Sequence, residues 1–263
     1  MADYIFIRKS RNALSSFIHI LLNILLGVGS ILLTALSNSW IIGFILVLLS
    51  KWRVFAVQPR YLLLNIRSNL VDFIVGFSFI MLAFVAGGEI NFVHLALAAL
   101  YTLWLIIIKP ISSENGNLLQ ALIAVFLGTT ASVLLFSNTN SIILVILEFF
   151  IGYGASRHVL AQNGDHELAV TTLASGLVFS EIAWLAHFWI ITYNFNIFNS
   201  SVIIPQLAII LTVITYVYCR INHSLTKHDG KLVSKEIAAP IIFGITIITI
   251  LLIFFSKPAF NLY

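Results

Sequence analysis

The chain has 263 residues, 60% hydrophobic and only 9% charged, with a mean hydropathy of +1.04. A soluble domain carries about 25% charged residues, so this chain cannot clothe itself for water, and a separate soluble catalytic domain is excluded. The net charge of +4 fits the cytoplasmic face of a bilayer rather than nucleic acid, and the lone Cys219 excludes an internal disulfide or a cysteine-based zinc site.

A helix needs about 20 apolar residues to cross hydrocarbon. The apolar runs predict one all-α transmembrane domain over 1–263, with about nine spans. The first, 13–36, follows a basic segment. It is too long for a signal-peptide core and lacks a small-x-small cleavage site, so it reads as an uncleaved span. Ser16, His19, Asn23, Gly27, Ser30, Thr34 and Ser37 recur at steps of three or four and share one face. His19 and Asn23, one turn apart near mid-membrane, are expected to line a polar cavity. The second span, 39–57, has an uninterrupted apolar run of ten residues, Trp40 to Leu49. Its continuation to Val57 requires Lys51 and Arg53 to snorkel to headgroups.

The third span, 68–87, carries Asn65, Asn69, Asp72, Gly76, Ala83 and Gly87 on one stripe. Asp72 lies about one turn inside, where an ion pair with Arg67 or Arg60 would anchor the helix end. The fourth span, 92–109, stops at Pro110, and the fifth, 118–137, continues a stripe from Asn117 through Ala121, Ala124 and Gly128. Small residues let helix backbones approach, so these stripes predict packed faces. Segments 52–76 and 104–128 share a Trp, a Pro and a Phe then Gly in similar order, which suggests a faint internal repeat.

The sixth span, 141–157, holds Glu148, and the seventh, 167–193, holds Glu181 and a stripe of Thr172, Gly176, Ser180, Ala183 and His187. At 1.5 Å per residue, Glu148 lies about 10 Å and Glu181 about 15–18 Å below the outer helix ends. An unpaired carboxylate in hydrocarbon is costly, so each must be protonated or face water or polar protein. Antiparallel neighbours would bring both acids to a shared water. The last spans are 202–220 and 236–256.

Nine crossings put thirteen of the fourteen Lys and Arg residues on one side, with Lys257 alone opposite. Basic residues resist translocation, which makes the N-terminus cytoplasmic and the C-terminus external, in a membrane of the bacterial inner type.

Several chemistries lack their residues. Gly154-Ala155-Ser156 resembles the Gly-x-Ser-Gly motif of rhomboid proteases but lacks the second glycine, and His187 lies at the opposite depth. One intramembrane aspartate cannot hold a magnesium diphosphate, no lysine lies deep enough for a retinal Schiff base, and no phosphate loop occurs. The inner-loop groups His158, His166, His223, His228, Asp165, Glu167 and Asp229 fit no metal spacing, and Asp165 and Glu167 suit a helix N-terminus. No cofactor is implied. The expectation is a small transporter or channel-like protein whose Glu148, Glu181, His187, His19 and Asn23 handle a proton, cation or small polar solute. The alternative is a non-catalytic subunit or scaffold packed against partner membrane proteins or further copies of itself.

Overall fold

A computed structural model describes residues 2–137, 141–161, 168–197, 200–228 and 230–255, with side chains from residue 15 onward. Eleven α-helices and one hairpin follow in chain order. The helices are α1 (Ala2–Ser37), α2 (Trp40–Ser50), α3 (Trp52–Phe55), α4 (Pro59–Ser68), α5 (Leu70–Val85), α6 (Phe92–Leu103), α7 (Glu114–Phe136), α8 (Ser141–Leu160), α9 (Leu168–His187), α10 (Gln206–Lys227) and α11 (Ser234–Phe254). A π-helical turn, Trp104–Ile108, extends α6, and strands β1 (Thr192–Ile197) and β2 (Ser200–Pro205) join α9 to α10. Lys257, Asp165, His166, Glu167, Asp229 and residues 138–140 lie outside the described residues.

Among the described residues, six helices are long and apolar enough to cross a membrane: Ser15–Ser37, Glu114–Phe136, Ser141–Leu160, Leu168–His187, Gln206–Lys227 and Ser234–Phe254. The pair Pro59–Ser68 and Leu70–Val85 makes a seventh if it is one span, although it bends by 66°. Trp40–Ser50 and Phe92–Ile108 are apolar but shorter.

The ends have local causes. Asn38, at φ 45°, makes the left-handed turn that asparagine tolerates, and Ser39 caps α2 by accepting from the Ile41 amide at 3.4 Å. Asn91 caps α6, accepting from the His94 amide at 3.2 Å. The buried His94 ring returns to the Asn91 amide through Nδ1 at 3.3 Å and reaches the Ala83 carbonyl through Nε2 at 3.0 Å. Nε2 donates to that carbonyl, while Nδ1 also lies 2.9 Å from Asn91 Oδ1, so the ring ties α6 back to α5.

The departures from the predicted spans include the second and the seventh. Helix α2 stops at Ser50 because Lys51 does not snorkel. It turns inward to Asp72 and is 6% exposed. The seventh span ends at His187, six residues early, because Thr192–Ile197 pairs antiparallel with Ser200–Pro205. The pairing satisfies the backbone between strands, as a chain leaving a helix near hydrocarbon requires. The two repeat segments also diverge: the first is broken into α3, α4 and the start of α5, with a 66° bend between the last two, whereas the second runs from the π turn through a short connection into α7.

Buried side chains form two cores. Ile31, Val47, Val75, Phe79, Ile80 and Tyr101 lock α1, α2, α5 and α6 together. Ala121, Val125, Leu144, Ile151, Phe179 and Leu211 join α7, α8, α9 and α10, and Ile74 of α5 packs against both. Small residues set the closest approaches. A Cβ at Gly176 would stand 3.0 Å from the Phe149 carbonyl oxygen, so α8 and α9 meet there backbone to backbone.

Candidate functional site

Helix α8 turns Leu144, Glu148, Ile151, Gly152 and Ala155 inward, a spacing of three and four that makes one packed face. Glu148 is therefore fully buried, at 0% exposure, against α7. The stripe on α7 through Asn117, Ala121, Ala124 and Gly128 continues four residues on to Ser132, with Thr129 beside it. Thr129 Oγ1 donates to Glu148 Oε2 at 2.9 Å, and Ser132 Oγ lies 2.5 Å from Glu148 Oε1. No Lys, Arg or His pairs with Glu148 among the described residues.

Ser132 Oγ is also 3.0 Å from the Thr129 carbonyl oxygen. A hydroxyl has one hydrogen and two acceptor positions. With Glu148 ionised, Ser132 donates to it. With Glu148 protonated, the carboxyl donates to Ser132, which passes its own hydrogen to the Thr129 carbonyl. One arrangement of heavy atoms thus serves both protonation states.

Ser132 also borders an apolar groove of about 510 Å³ between α2, α5, α7 and α8, lined by Phe44, Phe77, Ser78, Gly128 and Leu147 among others. Its wall is hydrocarbon apart from Ser78 and Ser132, and Ser78 is engaged with the Ile74 carbonyl at 2.6 Å.

The other acids and histidines do not join Glu148. Glu181 lies on the exposed face of α9, among Leu177, Val178, Trp184, Leu185 and Phe188, and has no hydrogen bond or ion pair among the described residues. The predicted stripe of Thr172, Gly176, Ser180 and Ala183 is buried, and Ser180 donates to the Val145 carbonyl of α8 at 3.1 Å. Glu181 follows Ser180 by one residue, about 100° round the helix, so it faces away from α8. The shared water between two acids is therefore excluded by azimuth. His187 is half-buried, with Nδ1 unpartnered and its ring edge-on to Phe188 at 5.8 Å. His19 and Asn23 lie on the first half of α1, before its packed part. They are exposed or half-exposed on α1, and Asn23 Nδ2 donates to His19 Nδ1 at 3.1 Å. The packed part of α1 starts only at Gly27.

Asp72 is held, but not by the predicted arginines. Lys51 and Lys109 both pair with its Oδ2, the latter at 2.7 Å, and Lys51 also donates to the Asp72 carbonyl at 2.9 Å. Trp104 Nε1 reaches Oδ1 at 3.4 Å. Arg67 and Arg60 are exposed, and Arg60 lies 4.6 Å from the ring of neighbouring Tyr61. The cause is the bend between α4 and α5, which turns the arginine-bearing helix away. The π turn, with Lys109 N bonded to Trp104 O at 2.8 Å, precedes the lysine that takes their place.

Gln120 continues this polar end into α7. Its Nε2 donates to the Ile108 and Ile111 carbonyls at 2.8 and 2.9 Å, while His158 Nε2 lies 2.7 Å from its Oε1. Sequence reading missed Gln120, Thr129 and Ser132, although the α7 stripe extended by one turn reaches Ser132.

The chemistry set aside earlier has further geometry. Ser156 is buried and donates to the Gly152 carbonyl at 2.7 Å, the ordinary bond of a helical serine. Among the described residues no three of His, Cys, Asp and Glu gather as a metal site.

The chain is a membrane-integral, multi-pass helical protein: its apolar helices and exposed apolar side chains require a bilayer around them. No family model, curated protein or solved structure matches it.

Proposed function

We propose that the protein is a small transporter or channel-like protein for a proton or small cation, with Glu148 as its intramembrane carrier group. The observation that carries this reading is the carboxyl buried between α7 and α8 with two hydroxyls and no counter-ion. Four oxygens converge there, a donor set that suits a proton or a hard cation. The hydroxyl of Ser132 satisfies the acid with or without its proton, so exchange demands no rearrangement of the helices. The polar end at Asp72, Lys51, Lys109, Gln120 and His158 supports a hydrated approach from the basic side. Nine crossings with a cytoplasmic N-terminus belong to this reading. In it α2, the bent α4–α5 pair and α6 with its π turn add three crossings to the six long helices.

Proteoliposomes with an imposed pH or cation gradient test it. Flux is expected in the wild type, to be lost in Glu148→Gln and retained in Glu181→Gln. Glutamine keeps hydrogen-bonding capacity toward Thr129 and Ser132, so it removes the exchangeable proton while sparing the fold. Equal flux in Glu148→Gln and wild type rejects the assignment.

Glu181 favours a second reading, that of a non-catalytic subunit or scaffold. A carboxyl set in an exposed apolar face is costly against lipid and is relieved by a donor on a partner helix. A stoichiometric membrane partner that copurifies with wild type and is lost in Glu181→Leu supports that reading.

A further inference from the structure

The end of the bundle that carries the basic residues holds a small polar cavity unrelated to Glu148. It lies between the first turn of α7, the last turn of α8 and the later turns of α10, measures about 180 Å³, and is bordered by Glu114, Asn115, Asn117, Arg220 and His223. Asn117 is 3% exposed, and its Nδ2 has no hydrogen-bond partner among the described residues. Several buried polar atoms of this chain share that state, and Asn117 Nδ2 is the one that borders this polar cavity, where an occupant could satisfy it.

Arg220 stacks on Tyr216 at 5.5 Å and pairs with no carboxylate among the described residues, leaving its N–H edge for another acceptor. His223 Nδ1 lies 3.7 Å from Glu114 Oε2, too far for a hydrogen bond, so among the described residues the ring keeps capacity for a further partner. The first turn of the 23-residue α7 adds the positive end of its dipole.

We propose that this cavity binds a phosphate group through Arg220, the Asn117 amide and His223. Its volume is below the roughly 300 Å³ of pockets that enclose whole drug-sized ligands, so it accepts a group rather than an entire metabolite. Basic pockets between helices at a membrane's cytoplasmic surface take lipid headgroups, and the same chemistry would hold free phosphate. Nothing in this assignment depends on transport through Glu148.

The full chain in mild detergent, equilibrated with phosphatidylglycerol and phosphatidylcholine, is analysed by native mass spectrometry. In parallel, inorganic phosphate is titrated while the unfolding midpoint is followed. A preference for phosphatidylglycerol that falls about tenfold in Arg220→Gln, the loss expected for one charge-assisted contact, supports a headgroup site. Phosphate-dependent stabilisation lost in the same variant, without a lipid preference, supports a free-anion site. Asn117→Ala serves as a second variant if Arg220→Gln fails to fold, and is expected to weaken the same binding. Lys231→Gln removes an exposed charge at the same end and leaves the preference intact. The assignment is overturned if wild type shows neither effect, if both site variants behave as wild type, or if Lys231→Gln loses as much as Arg220→Gln.

Discussion

The seam between α7 and α8 and the outward face of α9 each carry a glutamate at mid-helix, and the fold treats the two in opposite ways. Glu148 is sealed among Thr129, Ser132 and the packed face of α8, so its charge is met by hydroxyls alone. Glu181 faces outward in a field of leucine, valine and tryptophan, so whatever meets it belongs to lipid, water or another chain. Counted at 1.5 Å per residue from Ser141 and His187, both acids lie about 9–11 Å inside their helices. Rotation about the helix axis decides which acid is part of the protein's interior and which is part of its boundary.

The largest effect on stability is expected where a buried charge depends wholly on one partner. Asp72→Ala would leave Lys51 buried and unpaired, and should lower unfolding stability in detergent by about 3–5 kcal/mol. A loss no greater than that of an exposed substitution would show that Lys51 escapes to solvent. Next comes the hydroxyl cradle. Thr129→Val with Ser132→Ala removes both donors from Glu148 and should cost about 1–3 kcal/mol at neutral pH, most of it recovered when Glu148 becomes Leu in the same background. Failure of that rescue would break the comparison, since the hydroxyls would then matter for packing alone.

The seam itself comes next, with a similar expected cost. A Cβ at Gly152 falls 2.5 Å from the Phe179 ring, so Gly152→Ala should destabilise by about 1–3 kcal/mol through overpacking of α8 on α9. The smallest effect belongs to the boundary acid. Glu181→Leu should change the unfolding midpoint by the equivalent of about 0.5 kcal/mol or less, as for an exposed position without partners. A large loss there would mean that Glu181 is bound by the chain itself, and the contrast with Glu148 would fail.

Much of this was legible before any coordinates. Hydropathy located every long helix, and the small-residue stripes on α5, α7 and α9 named faces that are packed. The stripe on α9 even contained the answer for Glu181, because a residue next to Ser180 must lie on a different face. What escaped was information that hydropathy does not carry. The run 188–193 is apolar enough to prolong a span, but the chain turns there into the hairpin of Thr192–Ile197 with Ser200–Pro205. Lys51 and Lys109 lie far apart in sequence, and their convergence on Asp72 needs the break after α2, the bend before α5 and the π turn after α6. The placement of His19 and Asn23 escaped for a similar reason: a 36-residue helix does not announce where its neighbours begin to grip it.

The single hydrogen of Ser132 has an optical consequence. If the acid beside it exchanges its proton without displacing a carbon, oxygen or nitrogen, diffraction images of the loaded and unloaded protein would superimpose. Infrared difference spectra would separate them, because a protonated carboxyl and a carboxylate absorb as distinct vibrations, and isotope exchange would report how readily bulk water finds that hydrogen.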